Sequence, residues 1–426
     1  MNLLKYYVKT ILLMVLFPIT AFGQNELVTA INSKLMPIKS VESLSDFQEF
    51  AQLKSVLKDK RIVALGEATH GTHEFFTMKS TLIQYLVQEM GFKVFVLEAD
   101  FAGAKAMNSY IIDGKGNPID AMKQMLVGVW STKDFYEMVE WMKKYNEKQT
   151  PENKIRFYGC DMQFAINSGA ALLDGTVKFK NALSANCMKG IKLMINYRYT
   201  KIDKSQIPLL DATAQELKEA SIVEEDGLKL ALYQRYITCV LQTIEYAKVK
   251  YPYDGDIIRD QRMAENCEWI YNYEHNNKMI IWAHNLHVAK NITRNNNLPM
   301  GYYLNKKFPD TFYTIGFDFN KGEFSTKNTA TKTFGVWSVP EVTSKKFVEY
   351  IFKQCEVPNF FLDFKSCQQN SVINEFLSKD LYARSIGAGF NPNNQSFGTT
   401  NKKLNSIYDG IIFINKTTAV EIVMLN

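Results

Sequence analysis

Short apolar runs rich in β-branched and aromatic residues alternate along the chain with longer stretches whose apolar positions recur at helical spacing. The short runs predict strands at Arg61–Leu65, Lys93–Leu97, Ile155–Gly159, Lys278–Ala283, Phe312–Phe317, Asn359–Leu362 and Gly410–Ile414. Between the first two, Leu82, Tyr85, Leu86 and Met90 fall at helical spacing, so His73–Met90 reads as an amphipathic helix, with Gly91 closing it as a left-handed cap. Strand, helix, glycine, strand is the βαβ pattern. The expected fold is therefore α/β, a central and mostly parallel sheet flanked by helices.

From about residue 165 to 255 the strand signals stop. Helical segments take over at Leu209–Ala220 and Leu228–Lys250, followed by a turn at Tyr251–Gly255 and a further helix over Asp256–Tyr273. This stretch reads as a helical insertion, a cap over the carboxyl edge of the strands, within one catalytic domain spanning 24–426. The Asn/Gly-rich stretch Gly389–Asn401 reads as a loop. At the start, Lys5 and Lys9 precede the apolar run Thr10–Phe22, and Ala21-Phe22-Gly23 places small residues ahead of Gln24. That is the build of a secretory signal peptide over 1–23, too short for a membrane span. It predicts a periplasmic or secreted protein with no membrane attachment after cleavage.

Composition narrows the classes. A hydrophobic fraction of 46% and a charged fraction of 22% are ordinary for a globular chain. Removing 1–23 takes away two lysines and no acid, so the net charge falls from +6 to +4, and no Lys/Arg block marks a nucleic-acid surface. None of the six cysteines forms a C-x-x-C pair, which excludes a zinc ribbon or a thioredoxin motif. Export permits disulfides, and Cys355 with Cys367 is the expected pair, while Cys160 reads as a buried thiol. Oligomeric state is not legible.

Ionisable clusters follow the strands. Glu67 to His73 follow the first, Glu98 and Asp100 the second, Asp161 the third, and His284 to His287 the fourth. If those strands are parallel, the groups converge where open α/β sheets hold their sites, beyond the strands' carboxyl ends. Four of the five histidines lie in two of these clusters, and only His275 sits in a plain polar run. An imidazole beside a carboxylate can take a proton from water, and a second imidazole can polarise a carbonyl. His70 flanked by Glu67 or Glu98, facing His284 and His287, supplies that set. Thr69 and the amides near Gly71 are further candidate donors. No G-x-S-x-G elbow, H-E-x-x-H motif or phosphate loop occurs. The same five side chains would also make an acceptable zinc or manganese site, and residue types alone do not separate base from ligand.

Gly66-Glu67-Ala68-Thr69-His70-Gly71-Thr72-His73-Glu74, Gly159-Cys160-Asp161, Arg259-Asp260-Gln261-Arg262 and Trp282-Ala283-His284-Asn285-Leu286-His287 resemble the erythromycin esterase family over nearly the whole mature chain. The resemblance implies hydrolysis of the macrolactone ester of fourteen-membered macrolides, hence macrolide resistance, without a metal or other cofactor. It carries the general base to His70 and the remaining catalytic positions to Glu67, Glu98, His284 and His287. Candidate substrate contacts are Lys79, His73, Asp161 and Arg262. Lys79 stands where some family members have arginine, so it either contacts the site without arginine's bidentate fork or lies on the exposed face of its helix. The expected partner is a small molecule. Two other classes stay open: a metal-dependent hydrolase of another ester or amide, and a catalytically silent small-molecule-binding protein.

Overall fold

The computed structural model describes residues 25–42, 47–125, 128–198, 202–249, 252–292, 297–394 and 399–423. The expected signal segment lies outside them. The strands are β1 (Met36–Pro37), β2 (Ile62–Leu65), β3 (Val94–Asp100), β4 (Arg156–Asp161), β5 (Met279–Trp282), β6 (Phe312–Asn328), β7 (Phe334–Val339), β8 (Asn359–Asp363), β9 (Leu381–Arg384), β10 (Gly389–Phe390), β11 (Thr399–Lys402) and β12 (Gly410–Thr417).

The main sheet runs β1–β8–β12–β6–β2–β5–β3–β4, with β7 and β10 also on β6. From β12 to β4 every neighbouring pair is parallel, and β8, β1 and β7 are antiparallel additions. The expected mostly parallel α/β sheet is present. Its central strands are buried on both faces, which is why they read as unbroken apolar runs rather than alternating ones. Along β2, Ile62 and Ala64 enter one hydrophobic core and Val63 and Leu65 the other.

Register decides where the site falls. Leu65 pairs with Trp282, Trp282 with Leu97, and Leu97 with Gly159, so four adjacent strands share one line across the sheet. Glu67, His284, Glu98 and Asp161 lie just past that line, at the carboxyl ends. β3 and β4 run on through Glu98 and Asp161, so these two acids are strand residues and not loop residues.

Helix α1 (His73–Met90) has the expected bounds, and Gly91 closes it at φ 71°. It is not a surface helix, because most of its residues are buried. Its outer side is covered by the segment around Val41 and Phe47, by helix α2 (Lys133–Asn146) and by Thr418 beyond β12. The helical insertion stacks on one face of the sheet. Helix α3 (Gly227–Lys248) packs on helix α4 (Pro252–Tyr273), which lies against β4. Three side chains of these two helices, Thr243 of α3 and Arg259 and Asp260 of α4, reach the strand ends.

Several expectations are corrected. The turn at Tyr251–Gly255 is helix from Pro252, where proline suits a first turn. β6 continues eleven residues past Phe317 to Asn328, because backbone pairing to β12 and β7 carries it through Lys321-Gly322-Glu323. The stretch Gly389–Asn401 is not all loop, since it contains β10 and the start of β11. All six cysteines are free thiols, Cys160 buried as expected. Cys355 and Cys367 do not pair; the Cys367 thiol turns to the Asp363 carbonyl at 3.3 Å.

Candidate active site

Glu67 follows β2 and is fully buried. One turn of loop later, His70 donates from Nδ1 to Glu67 Oε1 at 2.6 Å. The other carboxylate oxygen, Oε2, accepts from Trp282 Nε1 at 2.8 Å and from the Lys79 ammonium. Lys79 has no exposed surface and lies 4.3 Å from the Trp282 ring centroid. Burial pulls its pKa down to about 8, against the opposing pull of Glu67 and Glu98. Gly71 lets this loop close against β6, since a Cβ there would stand 1.7 Å from the Ser325 carbonyl oxygen.

With Nδ1 spent on Glu67, the lone pair of His70 is on Nε2, which has no hydrogen-bond partner among the described residues. The ring stands 5.2 Å from His284 and 5.6 Å, edge to face, from Trp130. His284 accepts from the Leu286 amide at Nδ1, so its proton sits on Nε2, facing the Ala68 carbonyl at a long 3.4 Å. Burial pushes the His284 pKa well down, and the neighbouring imidazoles His70 and His287 push it further. His284 is a neutral ring with one donor beside a ring with one lone pair.

Glu98 does not flank His70 as a partner. It accepts from the backbone N–H of His284 at 2.8 Å and from Arg259 at 2.8 Å, and it faces His287 Nε2 at 3.2 Å. Burial opposes its charge, but His287 and Arg259 outweigh that and hold its pKa well below the usual carboxylate range. His287 donates from Nδ1 to Asp260 at 2.7 Å. Burial opposes the imidazolium, yet Asp260 and Glu98 prevail and raise it to about 10. A charged His287 gives its Nε2 proton to Glu98, so the 3.1 Å approach of Arg259 Nη1 is two cations side by side between carboxylates. Arg259 also forks onto Asp161, which in turn accepts from the Met162 and Gln163 amides.

The five predicted catalytic residues therefore come together, but as two units: Glu67–His70 backed by Lys79, and Glu98–His287 backed by Arg259 and Asp260, with His284 between them. No group of three or more His, Cys, Asp or Glu side chains among the described residues is arranged to hold a metal ion. Of the predicted substrate contacts, Asp161 lies at the site but is occupied by Arg259. Lys79 is buried behind Glu67, so it does not lie on an exposed helix face; it contacts the site through the Glu67 carboxylate, with a point charge and no fork. Arg262 is elsewhere: it pairs with Glu245 and Glu265 and staples α4 to α3. Thr69 and the Gly71 amide bond to each other. Arg259 and Asp260 were missed as site residues, although they open the Arg259–Arg262 segment that carries the resemblance; which residues of that segment reach the site is settled only when the helix is placed.

His73 bonds Asp134 at 2.9 Å and faces Glu42 at 3.5 Å, apart from the other histidines. Its bond to Asp134 raises its pKa to about 9, despite partial burial. A raised imidazole stabilises the fold fully below its unfolded pKa of 6.5 and ceases to as pH climbs through 9. After allowance for solvent screening, His73→Gln is expected to cost about 1 kcal/mol near pH 6. Urea titrations should show that difference vanish by about pH 10; an equal loss at both pH values would discard the ion pair as its source.

A family model described as erythromycin esterase matches residues 87–417. The chain is 29% identical over 352 residues to the protein YbfO of Bacillus subtilis (strain 168), covering 73% of this chain and 76% of that one. It is 23% identical over 434 residues to an erythromycin esterase type II of Escherichia coli, covering 92% and 98%. Among solved structures, a mutant erythromycin esterase in its open conformation aligns with a TM-score of 0.66 at 17% identity, over 87% of this chain and 94% of the other.

Proposed function

Since the chain belongs to the erythromycin esterase family, a family of hydrolases, we propose that it opens the macrolactone ester of fourteen-membered macrolides with water activated by His70. The carrying observation is the Glu67–His70 pair. Glu67 fixes the tautomer that leaves Nε2 basic, and its charge steadies the imidazolium formed when a water proton is taken. Lys79 and Trp282 hold the carboxylate in place from behind. The neutral His284, whose Nε2–H makes only a long contact, is placed to donate to the ester carbonyl as charge develops on its oxygen. The Arg259–His287 cation pair stands behind it, fixed by Glu98, Asp161 and Asp260.

Collapse of the tetrahedral intermediate returns the proton from His70 to the departing alkoxide, so the product is a hydroxy acid heavier by one water. On this reading His70 acts as base and then acid, and no covalent intermediate forms. The secretory leader expected from the sequence of residues 1–23 agrees with action outside the cytoplasm, where an antibiotic would be met first, and with a role in macrolide resistance. No helix among the described residues is long and apolar enough to cross a membrane.

The test is mass spectrometry of erythromycin incubated with residues 24–426, with and without EDTA. Addition of one water, unchanged by EDTA, is the expected result. Addition that EDTA abolishes and zinc or manganese restores would turn the histidines into ligands. No addition across several macrolides would sink the substrate while leaving the family.

A further inference from the structure

Asp318 on β6 and Glu349 on helix α6 (Val348–Phe352) lie outside the site described above, and both are buried, at 2% and 0% exposure. (Helix α5 is Asn285–Val288, at the site.) Each of the two acids uses one oxygen locally. Asp318 Oδ1 accepts from the Phe319 amide at 2.8 Å, and Glu349 Oε1 accepts from the Arg384 amide at 2.8 Å. The remaining oxygens, Asp318 Oδ2 and Glu349 Oε2, have no donor, although the two side chains stand within hydrogen-bonding reach of each other. Two buried carboxylates in that arrangement repel unless a proton lies between them.

The charged and titratable groups around the pair do not supply a donor. The Arg384 guanidinium is spent on the Asn320 and Pro340 carbonyls, stacked over Phe319, and acts on the acids only through its field. Tyr408 is the other titratable neighbour, itself pushed up by burial and by Asp318. Burial and the charge of Glu349 push Asp318 well above the ordinary carboxyl range.

What the pair holds is the segment that meets the site. Glu349 fixes the Arg384 backbone, and two and three residues on, Ile386 and Gly387 donate their amides to the Ala68 carbonyl at 2.7 and 3.1 Å. That carbonyl is the one His284 Nε2 faces, and an added Cβ on Gly387 would lie 3.6 Å from that nitrogen. We infer that Asp318 and Glu349 are positioning residues that share one proton, and that this shared proton latches the segment 384–387, at the end of β9, against Ala68 and so sets the seat of His284. Asp318 holds the proton and donates from Oδ2 to Glu349 Oε2. Loss of it leaves two facing carboxylates, and the segment loosens.

The sign follows from where the proton is bound. The folded chain keeps a proton on Asp318 that the unfolded chain releases near 3.8, so the latch is complete at low pH and weakens as pH rises. Asparagine at 318 supplies a permanent N–H to Glu349, and glutamine at 349 supplies one to Asp318 while still accepting from Arg384. Either change makes the latch independent of pH.

The experiment is hydrogen exchange by mass spectrometry on the full chain, over peptides containing 385–388, at a series of pH values from about 6 up to the alkaline limit of the fold, with intrinsic rates divided out. In the wild type, protection of this segment should fall about tenfold or more with pH, and in Asp318→Asn and Glu349→Gln it should hold. Traces that fall together in all three proteins, or a wild type whose protection never departs from that of Asp318→Asn up to the pH at which the fold is lost, would overturn the latch. Infrared difference spectra add a direct signature: a protonated-carboxyl component present in the wild type and lost in either variant, measured above about pH 8 where Asp100, raised to about 7 by burial, is ionised. The inference draws on the proposed role of His284, but neither readout needs a substrate, so failure to open a macrolide would not touch it. Under the hydrolase reading, the alkaline fall in kcat should be shallower in Asp318→Asn with KM unchanged.

Discussion

His70→Ala should lower kcat about a thousand-fold, the span usually supplied by a positioned general base. The fold should survive, because the carboxylate it leaves behind is not orphaned. Glu67 Oε2 keeps Trp282 and Lys79, and only Oε1 loses its donor. A stability cost of about 1–2 kcal/mol is expected from that single unmade bond. The measurement is single-turnover opening of a macrolide by wild type and variant, with urea unfolding alongside. Retention of activity within about tenfold would remove His70 from the base role and turn attention to His287. That alternative is physically weaker, since His287 is held charged up to about pH 10 and has no lone pair at neutral pH.

Lys79→Met is the second large effect, and it falls on stability. Lys79 and Glu67 are both at 0% exposure and pair in the interior. Removing one partner of a buried pair leaves an uncompensated charge, at a cost of about 3–5 kcal/mol. Methionine matches the stem of lysine and packs well against Trp282, so little of the loss is cavity. Adding Glu67→Gln removes the other charge and should restore about half the loss, a coupling of about 2 kcal/mol. Activity should not return, because glutamine does not steady the His70 imidazolium. A double variant no more stable than Lys79→Met would show that Glu67 carries no buried charge. The pH slope is a separate check. Folded Lys79 gives up its proton near 8 and the unfolded chain near 10.5, so the wild type gains stability across that window and the variant does not.

The strand ends were legible because each central strand announces itself locally. Runs such as Val63-Ala64-Leu65 and Ile280-Ile281-Trp282 are apolar on both faces, and Glu67 and His284, each one small residue beyond its run, mark the edge of the sheet. Glu67 and His70 are also local partners, three residues apart. Which carboxylate serves which imidazole was not legible. Arg259 lies 98 residues from Asp161 and 161 from Glu98, and its helix had to be placed before it could draw Glu98 away from His70. The exposed-face reading of Lys79 failed for a related reason. A lysine on an amphipathic helix ordinarily faces water, and only the covering by α2, Thr418 and the segment near Val41 makes that helix an interior one. Arg262 and Arg259 are one turn apart with the same side chain, yet one staples two helices at the surface and the other enters the site.

By itself, then, the sequence determined the fold class, the line along which chemistry collects, and the five residues that meet there. Periodicity and strand ends are properties of neighbouring residues, so they survive without a tertiary frame. The tertiary structure alone decided the hydrogen-bond partners of each group, the division into two carboxylate–imidazole units, and the juxtaposition of Asp318 and Glu349. Those depend on which distant side chains share a buried volume, where an unpaired charge is too costly to stand and every partner must come from elsewhere in the chain.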